Sequence, residues 1–189
     1  MNEFFIIKMY VKGLNYQFQS IPTIGDGSCF LHAILGCCSN PYKKADKKNK
    51  QILVKQMRQD LAEILDVKLG EKNFYQKLSR GQIEEIAENV KEMRKEFMQA
   101  HLKSGQWLNG NYLELISMLL NLNIIIISAE NKAIYPTGDK EIYFQDRHTI
   151  FINYYDQAHF ESLGIVTEEG LKTLFHRDSK LVKILGNII

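Results

Sequence analysis

Apolar periodicity changes kind along this chain, and that change limits the folds open to it. From about residue 51 to residue 120 the apolar positions recur at helical spacing. Ile52, Leu53, Met57, Leu61, Ile64 and Leu65 predict a helix over 51–67. Ile83, Ile86, Ala87, Val90, Met93, Phe97 and Met98 predict another over 83–102, ended by Gly105. A shorter helix is expected over 74–78, and one from Tyr112 to Leu120 follows the Asn109-Gly110-Asn111 turn. Beyond it the runs Ile124–Ser128, Thr149–Tyr154 and Phe160–Val166 read as strands, with a further strand expected at 141–144. The four isoleucines at 124–127 fall far short of the ~20 apolar residues that span a bilayer, so they predict a buried strand. Helices gathered early and strands late predict an α+β fold, a helical lobe packed on a small central β-sheet, in place of a doubly wound one. At the start, Phe5–Val11 and Tyr16–Ser20 predict two strands around a turn at Gly13-Leu14-Asn15. From Thr167 onward, Leu171, Leu174, Phe175, Leu181, Val182 and Leu185 predict one or two closing helices. A chain of 189 residues suits a single domain, 1–189, with 167–189 as a helical extension.

Charge and cysteine usage narrow the function classes. The net charge is +2, from 24 basic and 22 acidic residues, so no overall field draws the chain to nucleic acid or to an anionic membrane. Lys43, Lys44, Lys47, Lys48 and Lys50 are expected in a solvated loop, because only Tyr42 is interleaved as a stacking partner. The three cysteines, 29, 37 and 38, are odd in number and crowded into one segment, which argues against a disulfide framework. They are expected as free thiols in a reducing compartment, the cytoplasm or, were the chain viral, that of its host. The apolar start is too short for a signal peptide. Cys29, His32, Cys37 and Cys38 lie close together, but ligands on one straight helix do not close a tetrahedron, and no second Cys/His pair stands elsewhere. No metal and no other cofactor is expected.

The chemistry concentrates in Gly25-Asp26-Gly27-Ser28-Cys29, a glycine turn running into the apolar segment Phe30, Leu31, Ala33, Ile34, Leu35. The thiolate is the nucleophilic form of cysteine, and a helix N-terminus favours negative charge. Gly25 and Gly27 let the backbone turn sharply and approach a substrate, and the N–H groups of Gly25, Gly27 and Ser28 can converge on an oxyanion. A phosphate loop is excluded, since Gly-x4-Gly-Lys-Ser/Thr is absent. Cys37 and Cys38 lie deeper in the apolar helix and read as packing residues.

Gly25-Asp26-Gly27-Ser28-Cys29-Phe30-Leu31-His32-Ala33-Ile34 resembles the cysteine box of the ovarian-tumour (OTU) deubiquitinases. Two further segments follow in the family's order. The stretch from Trp107 through Gly110 to Glu114-Leu115 looks like the helix start that the family marks with tryptophan, glycine, glutamate and leucine. Asn123–Ser128 resembles the strand behind it, and Tyr155–Leu163, centred on His159-Phe160-Glu161, resembles the histidine box. The matched segments span residues 25–163. The resemblance implies a papain-like OTU fold and a thiol isopeptidase acting on ubiquitin, a ubiquitin-like protein or polyubiquitin chains. It carries Cys29 over as nucleophile, His159 as base and Asp26 as the motif acid that shapes the turn. Trp107 is expected beside the substrate cleft. The family's orienting residue, two after the histidine, is most often Asp or Asn; here it is Glu161, with Asn153 as a second candidate. Two other readings compete. One is a catalytically inactive ubiquitin-binding module of the same fold, which the presence of Cys29, His159 and Asp26 disfavours. The other is a thiol redox protein, which would require a Cys-x-x-Cys pair that is missing.

Overall fold

A computed structural model describes residues 6–11, 14–128, 133–136, 147–155 and 159–186. The chain opens with an antiparallel pair, β1 (Ile6–Val11) and β2 (Leu14–Ile21). A helical lobe follows: α1 (Cys29–Cys38), α2 (Asn40–Lys44), α3 (Lys47–Ile64), a short hairpin β3 (Lys68–Leu69) and β4 (Lys72–Asn73), then α4 (Ile83–Asn89), α5 (Lys95–Ser104) and α6 (Leu113–Leu120). The remaining strands are β5 (Leu122–Ser128), β6 (Ala133–Pro136), β7 (His148–Tyr155), β8 (His159–Thr167), β9 (Gly170–Lys172) and β10 (Leu174–Phe175), and α7 (Lys180–Gly186) comes last. The sheet runs β1-β2-β8-β7-β5-β6, with β9 on β8 and β10 on β7. β5 and β7 are parallel, and the other described pairings are antiparallel. The expected α+β class, helices against a sheet, is what forms.

Successive residues of a strand face opposite sides, so a strand buried at every position must be covered on both. β5 is such a strand. On one face Ile124, Ile126, Ile150, Ile152 and Phe160 pack against the helical lobe. On the other, Phe18, Ile125, Ile127, Phe151 and Leu163 pack under Phe175 and under Leu181 and Val182 of α7.

Several elements differ from expectation. The lysine-rich segment is helical at both ends instead of looped. Pro41 sits in the first turn of α2, where its missing N–H costs nothing, and Asp46 caps α3 by accepting from the Asn49 N–H at 2.8 Å. The helix expected over 83–102 is two helices. Val90 and Arg94 are extended between them, the Tyr75 hydroxyl donates to the Met93 carbonyl at 3.0 Å, and Arg94 Nε donates to the Ala87 carbonyl at 3.1 Å. Tertiary partners break a continuous apolar stripe there. The segment expected as a helix over 74–78 is a 3-10 stretch, Tyr75–Gly81. The tail forms β9 and β10 before its helix, because Leu174 and Phe175 pair with Ile150 and Thr149. The strand expected at 141–144 lies outside the described residues.

Candidate active site

The nucleophile turn is built by its glycine and its acid. Gly27 has φ +80°, a left-handed conformation that side chains resist, and a Cβ there would stand 3.0 Å from the Gly105 carbonyl oxygen. Gly25 meets no such demand. Asp26 folds back over the turn. Its carboxylate accepts from the Ser28 N–H at 3.1 Å, from His32 Nε2 at 3.2 Å and from Gln51 Nε2 at 3.2 Å. The Ser28 amide, one of the expected oxyanion donors, therefore donates to Asp26 in this state. His32 is fully buried, and its Nδ1 lies 2.7 Å from the Tyr42 hydroxyl. An Nε2–H donated to Asp26 and an Nδ1 accepting from Tyr42 describe a neutral ring. Burial lowers the His32 pKa, with Asp26 opposing. Burial alone would raise the Asp26 carboxyl, but the hydrogen bonds from Gln51 and His32 outweigh it and hold it low.

Ser28 is the N-cap of α1 and Cys29 its first residue, 3% exposed. The cysteines are all free. Burial pushes Cys37 up to about 12 and Cys38 to about 11, so both stay thiols at neutral pH.

α1 runs alongside β8 in matching register. The Phe30 ring lies 4.8 Å from the Phe160 ring, Ser162 Oγ donates to the Ala33 carbonyl at 2.8 Å, and Cys37 Sγ faces the Leu163 carbonyl at 3.9 Å. Gly36 permits this approach, since a Cβ on it would collide with Ser162 Oγ. Residues 30, 33 and 37 thus meet 160, 162 and 163, so the start of α1, Cys29, and the start of β8, His159, lie at the same end of the paired helix and strand.

His159 is half-buried at that strand start. Its Nε2 is 3.3 Å from Thr23 Oγ1, whose own hydroxyl donates to the Phe160 carbonyl at 2.5 Å. The Tyr155 ring meets the imidazole edge-on at 5.3 Å. Glu161 lies on the same side of β8 but stops 3.9 Å from Nε2. Its carboxylate is engaged elsewhere, accepting from Ser20 Oγ and from the Tyr155 hydroxyl at 3.0 Å. Asn153, opposite Glu161 in the β7–β8 ladder, is fully buried with neither amide atom hydrogen-bonded. Among the described residues, Thr23, which the sequence analysis did not single out, is therefore the side chain nearest Nε2. Trp107 is 38% exposed and stacks on Phe160, the residue after His159, with ring centroids 6.1 Å apart. Glu114 anchors a loop: both its oxygens accept from the Ser79 N–H, at 2.8 and 3.0 Å, where Ser79 and Arg80 adopt left-handed conformations. Among the described residues no group of three or more metal-ligating side chains forms.

The sequence matches the OTU-like cysteine protease family over residues 24–160. The chain belongs to this family. No curated protein matches it. Among solved structures, an ovarian tumor (OTU) domain in complex with ubiquitin superposes with a TM-score of 0.58 at 18% identity, covering 95% of this chain and 87% of that one. The Hazara virus OTU bound to ubiquitin gives 0.50 at 16% identity, covering 86% of this chain and 96% of that one. These likenesses support the OTU fold. Cys29 to His159 falls inside the family match. Of two residues at this site that the sequence analysis did not single out, one carried a readable signal. Arg58 interrupts the apolar face that Val54, Leu61 and Leu65 define on α3, a charge where a core residue is expected. Thr23 sits just ahead of the glycine turn but had no local signal, because its partner is 136 residues away.

Proposed function

We propose that the chain is a deubiquitinating thiol isopeptidase, with Cys29 as nucleophile and His159 as base. The observation that carries this reading is the α1–β8 register, which brings Cys29 and His159 to one end of the molecule with Thr23 on the far ring nitrogen. A proton held on Nε2 by Thr23 leaves Nδ1 free to take the Cys29 proton. The thiolate attacks the carbonyl of the modifier's C-terminal glycine, and a tetrahedral oxyanion forms. Its collapse expels the lysine amine, which leaves with the proton from the His159 imidazolium. Water, deprotonated by the same imidazole, then hydrolyses the Cys29 thioester and frees the carboxylate. Asp26 keeps the turn closed through Ser28 and His32, and Trp107 flanks the entry beside Phe160. Ubiquitin is favoured as the modifier because both structures described above hold it, and ubiquitin chains follow as substrates.

Ubiquitin carrying a C-terminal electrophile is the direct test. A covalent adduct on the wild type, absent from Cys29→Ala, is the expected result. Binding of ubiquitin without an adduct on the wild type would establish instead an inactive module of the same fold. An adduct on Cys29→Ala would remove Cys29 from the mechanism.

A further inference from the structure

Arg58 is 4% exposed on α3; among the described residues no carboxylate forms a direct ion pair with it, and Asp26 acts on its charge only from further off. Arg58 faces neutral oxygens instead. Nε donates to Ser28 Oγ at 2.9 Å, Nη2 to the carbonyls of Gly27 at 3.0 Å and Gln106 at 2.6 Å, and Nη1 to the carbonyl of Leu102 at 3.2 Å. Two of these acceptors belong to the nucleophile turn. The other two flank Gly105, which caps α5 in a left-handed conformation and leads into Trp107.

We propose that Arg58 is the positioning residue of the nucleophile, a buried guanidinium clamp that locks the turn bearing Cys29 to the strap bearing Trp107. Its catalytic consequence rests on the protease reading above; the clamp itself does not. Stability alone is a poor reason for the residue. A buried cation loses its hydration, and an apolar side chain of similar volume in such a place is often as stable or more so. What an apolar side chain lacks is a planar fork that fixes several donors in set directions. Here that fork spans a close seam, because a Cβ on Gly27 would stand only 3.0 Å from the Gly105 carbonyl oxygen. With its Gly27 carbonyl turned to Arg58 and its Ser28 N–H turned to Asp26, the Gly27–Ser28 peptide just before Cys29 is held from both sides. The start of α1 then has one direction relative to Trp107 and Phe160. The guanidinium also places a fixed positive charge behind the residue that must become a thiolate.

A cavity of about 550 Å³, lined in part by Asp26, Ser28, Arg58, Leu102 and Gly105, opens against the guanidinium. Small cations from solvent can therefore reach its place in a truncated variant, and this makes the clamp testable by rescue. Wild type, Arg58→Lys and Arg58→Ala would be compared for melting temperature, for alkylation of Cys29 by iodoacetamide, and for turnover of a ubiquitin C-terminal amide. Arg58→Lys keeps the charge and loses the fork. It is expected to fold, to alkylate more slowly, and to lose roughly a hundredfold in kcat with KM little changed, the scale of an ångström-sized misplacement of reacting groups. A folded Arg58→Ala is expected to regain about tenfold of its lost rate in millimolar guanidinium and nothing in urea, since only a charged planar donor replaces the fork. Wild-type alkylation and turnover in Arg58→Lys would overturn the proposal. So would unfolding of Arg58→Lys, because the role assigned is local to the turn, or a folded Arg58→Ala that guanidinium does not improve. If Arg58→Ala does not fold, Arg58→Lys decides. Iodoacetamide needs no modifier, so a wild type inactive on ubiquitin would sink the protease reading while the alkylation rates still judge the clamp.

Discussion

Replacing Thr23 with valine removes one hydroxyl and keeps the shape of the side chain. That hydroxyl lies 2.5 Å from the Phe160 carbonyl and 3.3 Å from His159 Nε2. Its proton goes to the carbonyl, so a lone pair faces the imidazole, and the ring nitrogen on that side must carry the hydrogen. In the thiolate–imidazolium pair this becomes a hydrogen bond from a cation, a type worth about 1.5–3 kcal/mol. At 3.3 Å the lower figure applies, and since ~1.4 kcal/mol is a factor of ten, Thr23→Val should lower kcat/KM about tenfold. The same change leaves the Phe160 carbonyl without its donor, which should cost ~1 kcal/mol of stability. Thr23→Ser keeps the hydroxyl and separates the two effects: it should turn over within a few-fold of wild type, while valine does not. The assay is steady-state hydrolysis of a fluorogenic ubiquitin C-terminal amide, run well below the melting temperature of every variant. Wild-type kcat/KM in Thr23→Val, together with a large loss in Glu161→Gln, would refute the assignment and return the orienting role to the carboxylate.

Acid should loosen the turn. His32 has its pKa lowered in the fold, chiefly by burial, while in the unfolded chain it takes up a proton near ~6.5; the unfolded state then binds more protons in that window, so stability holds above it and falls as pH drops through it. His101, also lowered mainly by burial, adds to the same slope. Asp26, held low, keeps its contribution above the ordinary carboxyl range and loses it only as pH falls through its own depressed pKa. Melting temperatures across that window should slope for the wild type and flatten in His32→Gln, and an unchanged slope would exonerate His32. Gly36→Ala should cost ~1–3 kcal/mol through a Cβ forced onto Ser162 Oγ, and lower turnover by lifting α1 off β8. Ser162→Ala in the same chain should return part of the loss; a higher melting temperature in Gly36→Ala alone would mean that helix and strand are not seated so closely.

What the sequence made legible was local. The change from helical to strand periodicity gave the α+β class, and the glycine turn with the histidine box pointed to Cys29, Asp26 and His159 as the candidates. The all-apolar run at 124–127 announced a strand covered on both faces, as β5 is. The split between α4 and α5 was not legible, because it depends on Tyr75 and Arg94 reaching across to carbonyls that no periodicity encodes. The α2 helix was hidden in a lysine-rich stretch with no apolar periodicity, although Pro41 suits a first turn. Thr23 and Ser20 carried no signal at all: both act through strands more than a hundred residues away. Arg58 did carry one, a charge on an apolar face, and it passed unread.

The departure at Glu161 follows from the same long-range pairings. A glutamate two residues after His159 lies on the histidine's side of β8 and has one more methylene than aspartate with which to reach the ring. It does not use that reach. Ser20 on β2 and Tyr155 on β7 take its oxygens from either side, and the carboxylate stops 3.9 Å from Nε2. A carboxylate held there sets no direction for an N–H. Thr23 sets that direction, since its hydroxyl is itself fixed by the Phe160 carbonyl one residue from the histidine. The work done elsewhere by a single acid is thus divided between a charge held off by its neighbours and a neutral acceptor held close. Removing the first should free Ser20 and Tyr155 while leaving the ring's direction unchanged, and removing the second should misdirect the ring.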